Sequence, residues 1–430
     1  MAFRLINPVR RYDWGSTTAI PRLLGWPSDA TPVAELWIGA YPASPSAIAA
    51  HDAGAPLASD THPRVTPPKS HAHDGGAHLL PESHLGEGLG EEGPSSSALR
   101  GLDVLVGEDP DGMLGAVVVA AHGPRLPFLA KILAAARPLS LQVHPHGEYC
   151  AARFAAESQQ VGGGAGRLTD PWEKPEALYA LTPFEAMSGL RAEAEAAELV
   201  RALGIHEAEE LAEVLEAEGH KAGFTWLYAH DPGGATWTAQ VPPVYARLAE
   251  EGRADPAHRL AAELSQRHVG DPSCLAPLLL NYVTLAPGEV LHTPVRTLHS
   301  LVSGTAIEVM GSSDTVLRAG LTNKTIEVDE VLRCADFTAR PPLLLEGLGA
   351  NSGPLYAPEG CPFTLQVADV TDSLLLPDPG PRLLLCLTGE IHLDCASPLT
   401  LTAFDTAFIP HADGPATLTG QARLAIVSPS

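Results

Sequence analysis

Leu383-Leu-Leu-Cys-Leu387, Ile391-His-Leu393, Leu399-Thr-Leu401, Phe408-Ile-Pro410 and Leu424-Ala-Ile-Val427 decide the fold class. Each is a short apolar run, and turn residues such as Gly389 separate them. Many short strands at regular spacing, punctuated by turn signals, predict a barrel or sandwich from about residue 341 to 430. Upstream, Leu278-Leu-Leu-Asn-Tyr-Val-Thr-Leu285 ends at the turn pair Pro287-Gly288, and Val290 through Met310 alternates strands with small turn residues. Between 185 and 270 the class changes. No proline occurs between Pro183 and Pro232, and Leu199/Leu203, Leu211/Val214/Leu215 and Leu260/Leu264 fall at helical spacing. Before that, Val33-Ala-Glu-Leu-Trp-Ile38, Leu126-Pro-Phe-Leu-Ala-Lys-Ile-Leu133 and Leu139-Ser-Leu-Gln-Val-His144 read as strands. The order is β, helical, β.

Two segments lack this patterning. From His51 to Ser97, Pro, Gly, Ser and Ala dominate, and six of the 18 histidines lie there. A His-rich tract can bind metal. Without cysteines or fixed ligand spacing, the composition favours a solvated loop. Val161-Gly-Gly-Gly-Ala-Gly-Arg167 is Gly-rich but lacks the closing Gly-Lys-Ser/Thr of a phosphate loop.

The chain's 430 residues imply two or three structural units. Its composition is globular, with 45% hydrophobic and 18% charged residues. Net charge is −24, a field that disfavours a nucleic-acid backbone or an anionic membrane surface as partner. No apolar run approaches the ~20 residues of a membrane helix. Early arginines at 4, 10 and 11 argue against a secretory signal, so a cytoplasmic location is expected. The six cysteines form no Cys-x-x-Cys and read as buried small hydrophobes in a reducing compartment. Lysine is scarce: Lys69, Lys131, Lys174, Lys221 and Lys324 stand against 22 arginines, which draws attention to each.

Gln142-Val-His144-Pro145 puts Gln142 and His144 on one face of a strand, because side chains alternate with period two. Glu176 follows Lys174-Pro175, and His299 lies in a strand-rich segment. Two imidazoles, a carboxylate and an amide oxygen suit Zn²⁺ or another borderline divalent ion with one position open to substrate. A lone strand histidine is more often a hydrogen-bonded structural residue. Farther on, Asp314, Arg318 and Lys324 surround Gly320. Arg grips oxyanions bidentately and Lys acts on phosphate as a point charge, although an exposed charged loop would have the same composition.

At these segments the chain resembles the type I phosphomannose isomerases. The resemblance rests on Leu126-Pro-Phe-Leu-Ala-Lys131, Pro138-Leu-Ser-Leu-Gln-Val-His-Pro145, Lys174-Pro-Glu176, Thr182-Pro-Phe-Glu185, His299, and the run from Glu308 to Lys324 containing Ser-Ser-Asp-Thr-Val-Leu-Arg-Ala-Gly-Leu-Thr. Tyr12-Asp-Trp-Gly15 and Ala34-Glu-Leu-Trp-Ile-Gly39 fit the same family. The resemblance implies a zinc enzyme interconverting mannose 6-phosphate and fructose 6-phosphate through an enediol or enediolate, and a monomer acting on a small-molecule sugar phosphate is expected. It implies two cupin-like jelly-roll barrels plus an α-helical subdomain. Residues 1–184 with 271–340 would form the catalytic cupin domain, with 51–97 as an insertion. Residues 185–270 would be the helical subdomain and 341–430 the C-terminal cupin-like domain. One Zn²⁺ per chain would be held by Gln142, His144, Glu176 and His299. Arg318, Lys174 and Asp314 fall on catalytic positions, and Ser140, Lys131 and Lys324 on positions near the substrate. Lys174, Asp314 and a zinc-bound water compete as the base.

Three positions depart from the family's usual pattern: Glu173 stands for a His before Lys-Pro-Glu, Leu301 for a Tyr, and Tyr41 for a His. A Glu173 that pointed inward would raise the proton affinity of Lys174. A cupin oxygenase using Fe²⁺ and a sugar-phosphate-binding cupin without turnover are the alternatives. The first has no need of the Arg318/Lys324 anion grip. The second fits poorly with an intact Gln/His/Glu/His set.

Overall fold

Strand His299–Gly311 organises the larger of two antiparallel sheets. The computed structural model describes residues 1–48, 99–159, 168–230, 238–349, 352–377 and 380–430. The 51–97 tract and the Val161–Arg167 loop lie outside the described residues. The first part of strand His299–Gly311 pairs with Phe184–Leu190 and, at His299, with Gln142 of strand Leu141–Val143. The second part pairs with Phe128–Ala135 on one side and Glu176–Ala180 on the other. The change of partners centres on a bulge between Leu301 and Ser303 and on Gly304, whose φ of +128° suits glycine. A Cβ on Gly304 would lie 2.5 Å from the Phe184 ring. One strand therefore reaches four neighbours and brings His299 beside Gln142.

The second sheet is built on Arg382–Asp394 and Ala416–Pro429, as the apolar runs near the C-terminus predict. It also takes in N-terminal residues. Phe3 pairs with Phe408, Ala47–Ile48 pairs with the same N-terminal strand, and Arg100–Gly101 follows. These strands cover an edge that would otherwise present unpaired backbone groups. The N-terminal strand Phe3–Ile6 is thus part of the second sheet. Phe128, Ile132, Ile307 and Val309 of the first sheet share one buried cluster with Phe363, Leu383, Phe408 and Val427 of the second.

Helices run Glu193–Arg201, His206–Glu218, His220–His230, Val241–Glu250 and Pro256–Arg267. Glu193, Glu195, Glu207 and Glu209 lie in first turns, where negative charge complements the helix dipole. Asp255 and His258 form a capping box, with Pro256 at the first helical position. The helices begin at Glu193 rather than 185, because Phe184–Leu190 pairs as a strand. Leu278 and Leu279 close the short helix Ala276–Leu279, so their strand starts at Leu280. Ala208, Leu211, Ala212 and Leu215 pack in the same cluster as Leu141, Val143, Leu317 and Ala319. Helices thus seal the back of the strands whose alternate residues, Gln142 and Arg318, face the other way. Among the described residues no helix is long and apolar enough to cross a membrane.

Candidate metal centre

Backbone pairing sets the site. His299 lies opposite Gln142, and Gln142 lies opposite Arg318 on its other side. Glu176 begins the strand that pairs with Met310. His144 follows strand Leu141–Val143 directly. Ligand atoms of His144, Glu176 and His299 lie within 4.8 Å of one another, and all three residues are buried.

The protonation pattern follows from the outer partners. Nδ1 of His144 lies 2.9 Å from the Thr315 carbonyl, and Nδ1 of His299 lies 2.9 Å from the Thr297 carbonyl. A carbonyl only accepts, so each Nδ1 carries the proton and each Nε2 presents a lone pair. Nε2 of His144 lies 3.1 Å from a Glu176 oxygen, and Nε2 of His299 lies 3.4 Å from the other. Burial pushes both imidazoles down, His299 to about 4, so at neutral pH these contacts are not ion pairs. Burial alone would raise the Glu176 carboxyl, but His144, at pH low enough to protonate it, and the Lys174 ammonium hold it well below the ordinary carboxylate range. Nε2 of His144 is buried with no hydrogen-bond partner. Lone pairs facing a carboxylate in a dry site repel unless a cation lies between them. Histidines that donate their other nitrogen to backbone carbonyls are the usual arrangement around such a cation.

Gln142 closes the fourth side. Its amide NH₂ faces Nε2 of His299 at 3.2 Å, and its oxygen accepts from the Ser140 hydroxyl at 3.1 Å. Turning the amide over about its last bond aims the oxygen at the centre. Lys174 Nζ sits 3.2 Å from Glu176. Glu173 accepts from the Gly147 backbone N–H at 3.0 Å, so this departure serves the N-terminus of helix Gly147–Ser158. Leu301 lies in an apolar cluster with Leu133 and Phe184.

Around this core stand the other predicted residues. Asp314 is the main carboxylate acting on Arg318, whose guanidinium burial pushes down. Burial and Arg318 likewise lower Lys324, whose ammonium lies 4.7 Å from the Tyr12 ring centre. Lys131 differs from these two. It is buried between Glu35 at 3.4 Å and Glu308 at 3.6 Å, with the Trp37 ring 4.4 Å away. Sequence reasoning missed Glu35, Glu308 and Asp170 as parts of this neighbourhood. Its available signal was a carboxylate inside an apolar strand run, as in Ala34-Glu-Leu-Trp37.

Fold and site define a mainly antiparallel-β protein with a buried two-histidine, one-carboxylate cluster that could hold a metal ion, flanked by cations. The family described as phosphomannose isomerase type I, catalytic domain, matches residues 2–65 and 91–193. The mannose-6-phosphate isomerases of Shigella flexneri and Escherichia coli (strain K12) are each 30% identical, over 99% of this chain and 98% of theirs. A crystal structure of a variant of the Salmonella typhimurium phosphomannose isomerase superposes with a TM-score of 0.80 at 28% identity, covering 100% of this chain and 99% of that one. The chain belongs to the type I phosphomannose isomerase family.

Proposed function

We propose that this chain is a zinc-dependent aldose–ketose isomerase that interconverts mannose 6-phosphate and fructose 6-phosphate through an enediolate. The observation that carries the reading is the convergence of the Nε2 lone pairs of His144 and His299 on the Glu176 carboxylate in a buried site. The same activity is named for the relatives that cover nearly the whole chain. Gln142, His144, Glu176 and His299 hold one zinc. When bound, the metal supplies a Lewis acid for the oxygens of the reacting carbons.

The chain's own residues supply the rest. Lys174, beside Glu176, moves the proton between C1 and C2. Arg318, fixed on the strand next to Gln142, stabilises the negative charge that develops on the enediolate oxygens. Asp314 orients Arg318. Lys324 takes the phosphate, since Lys131 is already held by two carboxylates. Ser140 fixes Gln142.

Two cupin-like jelly rolls flanking a helical subdomain are the architecture we assign, with the divisions 1–184 plus 271–340, 185–270 and 341–430. The long bent strand with four partners supports this reading. The N-terminal strand crosses to the C-terminal unit. Six free cysteines, five of them buried, suit the reducing cytoplasm.

The test is conversion of mannose 6-phosphate in D₂O, followed by NMR. Fructose 6-phosphate carrying solvent deuterium at C1 is the expected product. No product removes the activity, and product without any solvent deuterium removes Lys174 as the carrier, because its amine would mix the abstracted proton with two solvent deuterons.

A further inference from the structure

Asp170 is buried and receives an unusual number of donors. Its Oδ2 accepts from the Tyr41 hydroxyl at 3.0 Å, the Thr169 hydroxyl at 3.1 Å and the Asp314 backbone N–H at 2.9 Å. Its Oδ1 accepts from the Ser313 hydroxyl at 2.7 Å and the Trp172 backbone N–H at 3.0 Å. Its own carbonyl accepts from the Thr315 hydroxyl at 3.0 Å. Three successive residues of one loop, Ser313, Asp314 and Thr315, are therefore tied to a single residue of another.

Both loops lead to the metal centre. Thr315 presents the carbonyl that fixes the tautomer and ring orientation of His144. Asp314 carries the carboxylate whose charge acts most on Arg318. Four residues after Trp172 the chain reaches Glu176. The Asp170 carboxylate reaches Thr315 through Ser313, whose hydroxyl donates to Oδ1 and accepts from the Thr315 backbone N–H at 3.1 Å, and Thr315 in turn holds His144.

We propose that Asp170 is a positioning residue for the metal centre, locking the Ser313–Thr315 loop so that His144 and Asp314 are held in working geometry, with the Tyr41 hydroxyl as one of its anchors. This rests on the metal-site reading above. A carboxylate is needed because every group around it donates. An amide would turn its NH₂ toward either the Trp172 N–H or the Asp314 N–H, and neither backbone donor can rotate away. Tyr41 fits the same logic. Burial, followed by the charge of Asp170, pushes its phenol up, so it stays protonated and donates.

The test measures Zn²⁺ affinity by chelator competition, together with kcat and KM on mannose 6-phosphate, for wild type, Asp170→Asn and Tyr41→Phe. Loss of the direct partner behind a metal ligand typically weakens binding about 10–100-fold, and Asp170→Asn, acting through Ser313 and Thr315, should weaken it by about tenfold, the low end of that range. Its kcat should fall more than its KM rises. Tyr41→Phe removes one donor of five and should move both readouts the same way, by a few-fold. Zn²⁺ affinity in Asp170→Asn within twofold of wild type overturns the proposal, as does a lowered Tm of the metal-free protein with affinity unchanged. Should Asp170→Asn fail to fold, Tyr41→Phe and Ser313→Ala decide, and unchanged affinity in both overturns it. A wild type that binds no Zn²⁺ instead overturns the metal-site reading itself.

Discussion

The two sheets differ in what they bury. The sheet around strand His299–Gly311 buries Glu35, Lys131, Glu176, His292, His299, Thr305 and Glu308 among its apolar side chains. Among the described residues after 351, only Arg382 and Thr406 are buried polar residues. The rest of that interior is apolar, including Leu384, Ile391, Leu401, Leu418 and Leu424. Burying a polar group without full compensation costs about 1–3 kcal/mol, more when it is charged. The same antiparallel construction therefore serves two purposes. One sheet tolerates unfavourable burial to build a site, and the other gives a uniform core whose contribution is stability.

Substitutions can break that contrast. His299→Ala should have the largest effect, removing the bound metal and the isomerase activity together. Metal analysis of the purified variant checks this, and full zinc occupancy would take His299 out of the ligand set. Arg318→Ala should lower kcat by about 10²–10³, as for a lost oxyanion donor, with a smaller change in KM. Arg318→Lys keeps the charge but not the fork and should recover only part of the loss. If KM rises while kcat survives, Arg318 grips phosphate instead. On the other sheet, Leu424→Ala should cost about 2–5 kcal/mol of stability while kcat stays within a few-fold. Urea unfolding beside steady-state kinetics measures both, and a lost kcat with intact folding would erase the division of labour.

Charge burial in the first sheet predicts a pH signature. Burial, then the neighbouring Glu176, push Glu308 from its ordinary 4.5 to about 7. Between those values the folded metal-free chain holds a proton that the unfolded chain has released. Through Glu308, stability falls as pH rises across that window. The stability of Glu308→Gln relative to wild type should therefore grow from pH 4.5 to 7. Denaturation of both metal-free proteins at several pH values tests this, and a constant difference would show that Glu308 does not titrate there. The smallest effect is expected from deleting residues 66–90, the stretch between the two segments matched by the family. Behind a short linker, activity should stay within a few-fold, because loop length costs little closure entropy. A collapse in turnover would give that stretch a role in the site.

Residues in the motif blocks that carry the family resemblance were legible in the sequence, although their spacing alone was a weak signal. Gln142 and His144 two apart on a strand, Lys174-Pro-Glu176, and the Asp314–Arg318–Lys324 run all converge in space. The helical segment was legible because no proline occurs between Pro183 and Pro232 and leucine repeats at helical spacing. Helices Leu102–Glu108, Pro110–Leu114 and Ala116–His122 were not, since each is seven residues or shorter and too brief for a period to emerge. Pairing of Phe3–Ile6 with Thr406–Ile409 was hidden because about 400 residues separate the partners and either strand could have been an edge. Asp170 and Glu308 were also hidden. Their importance lies in which donors and charges surround them, and that depends on loops meeting across the fold.

The central claim, that the buried His144–Glu176–His299 cluster is a metal-dependent isomerase centre, has one direct test. The protein is stripped of metal by chelator, and Zn²⁺ is titrated back while formation of fructose 6-phosphate from mannose 6-phosphate is followed. The account predicts negligible activity in the stripped protein and a linear recovery that breaks at one zinc per chain. Undiminished turnover in the fully stripped protein would contradict it.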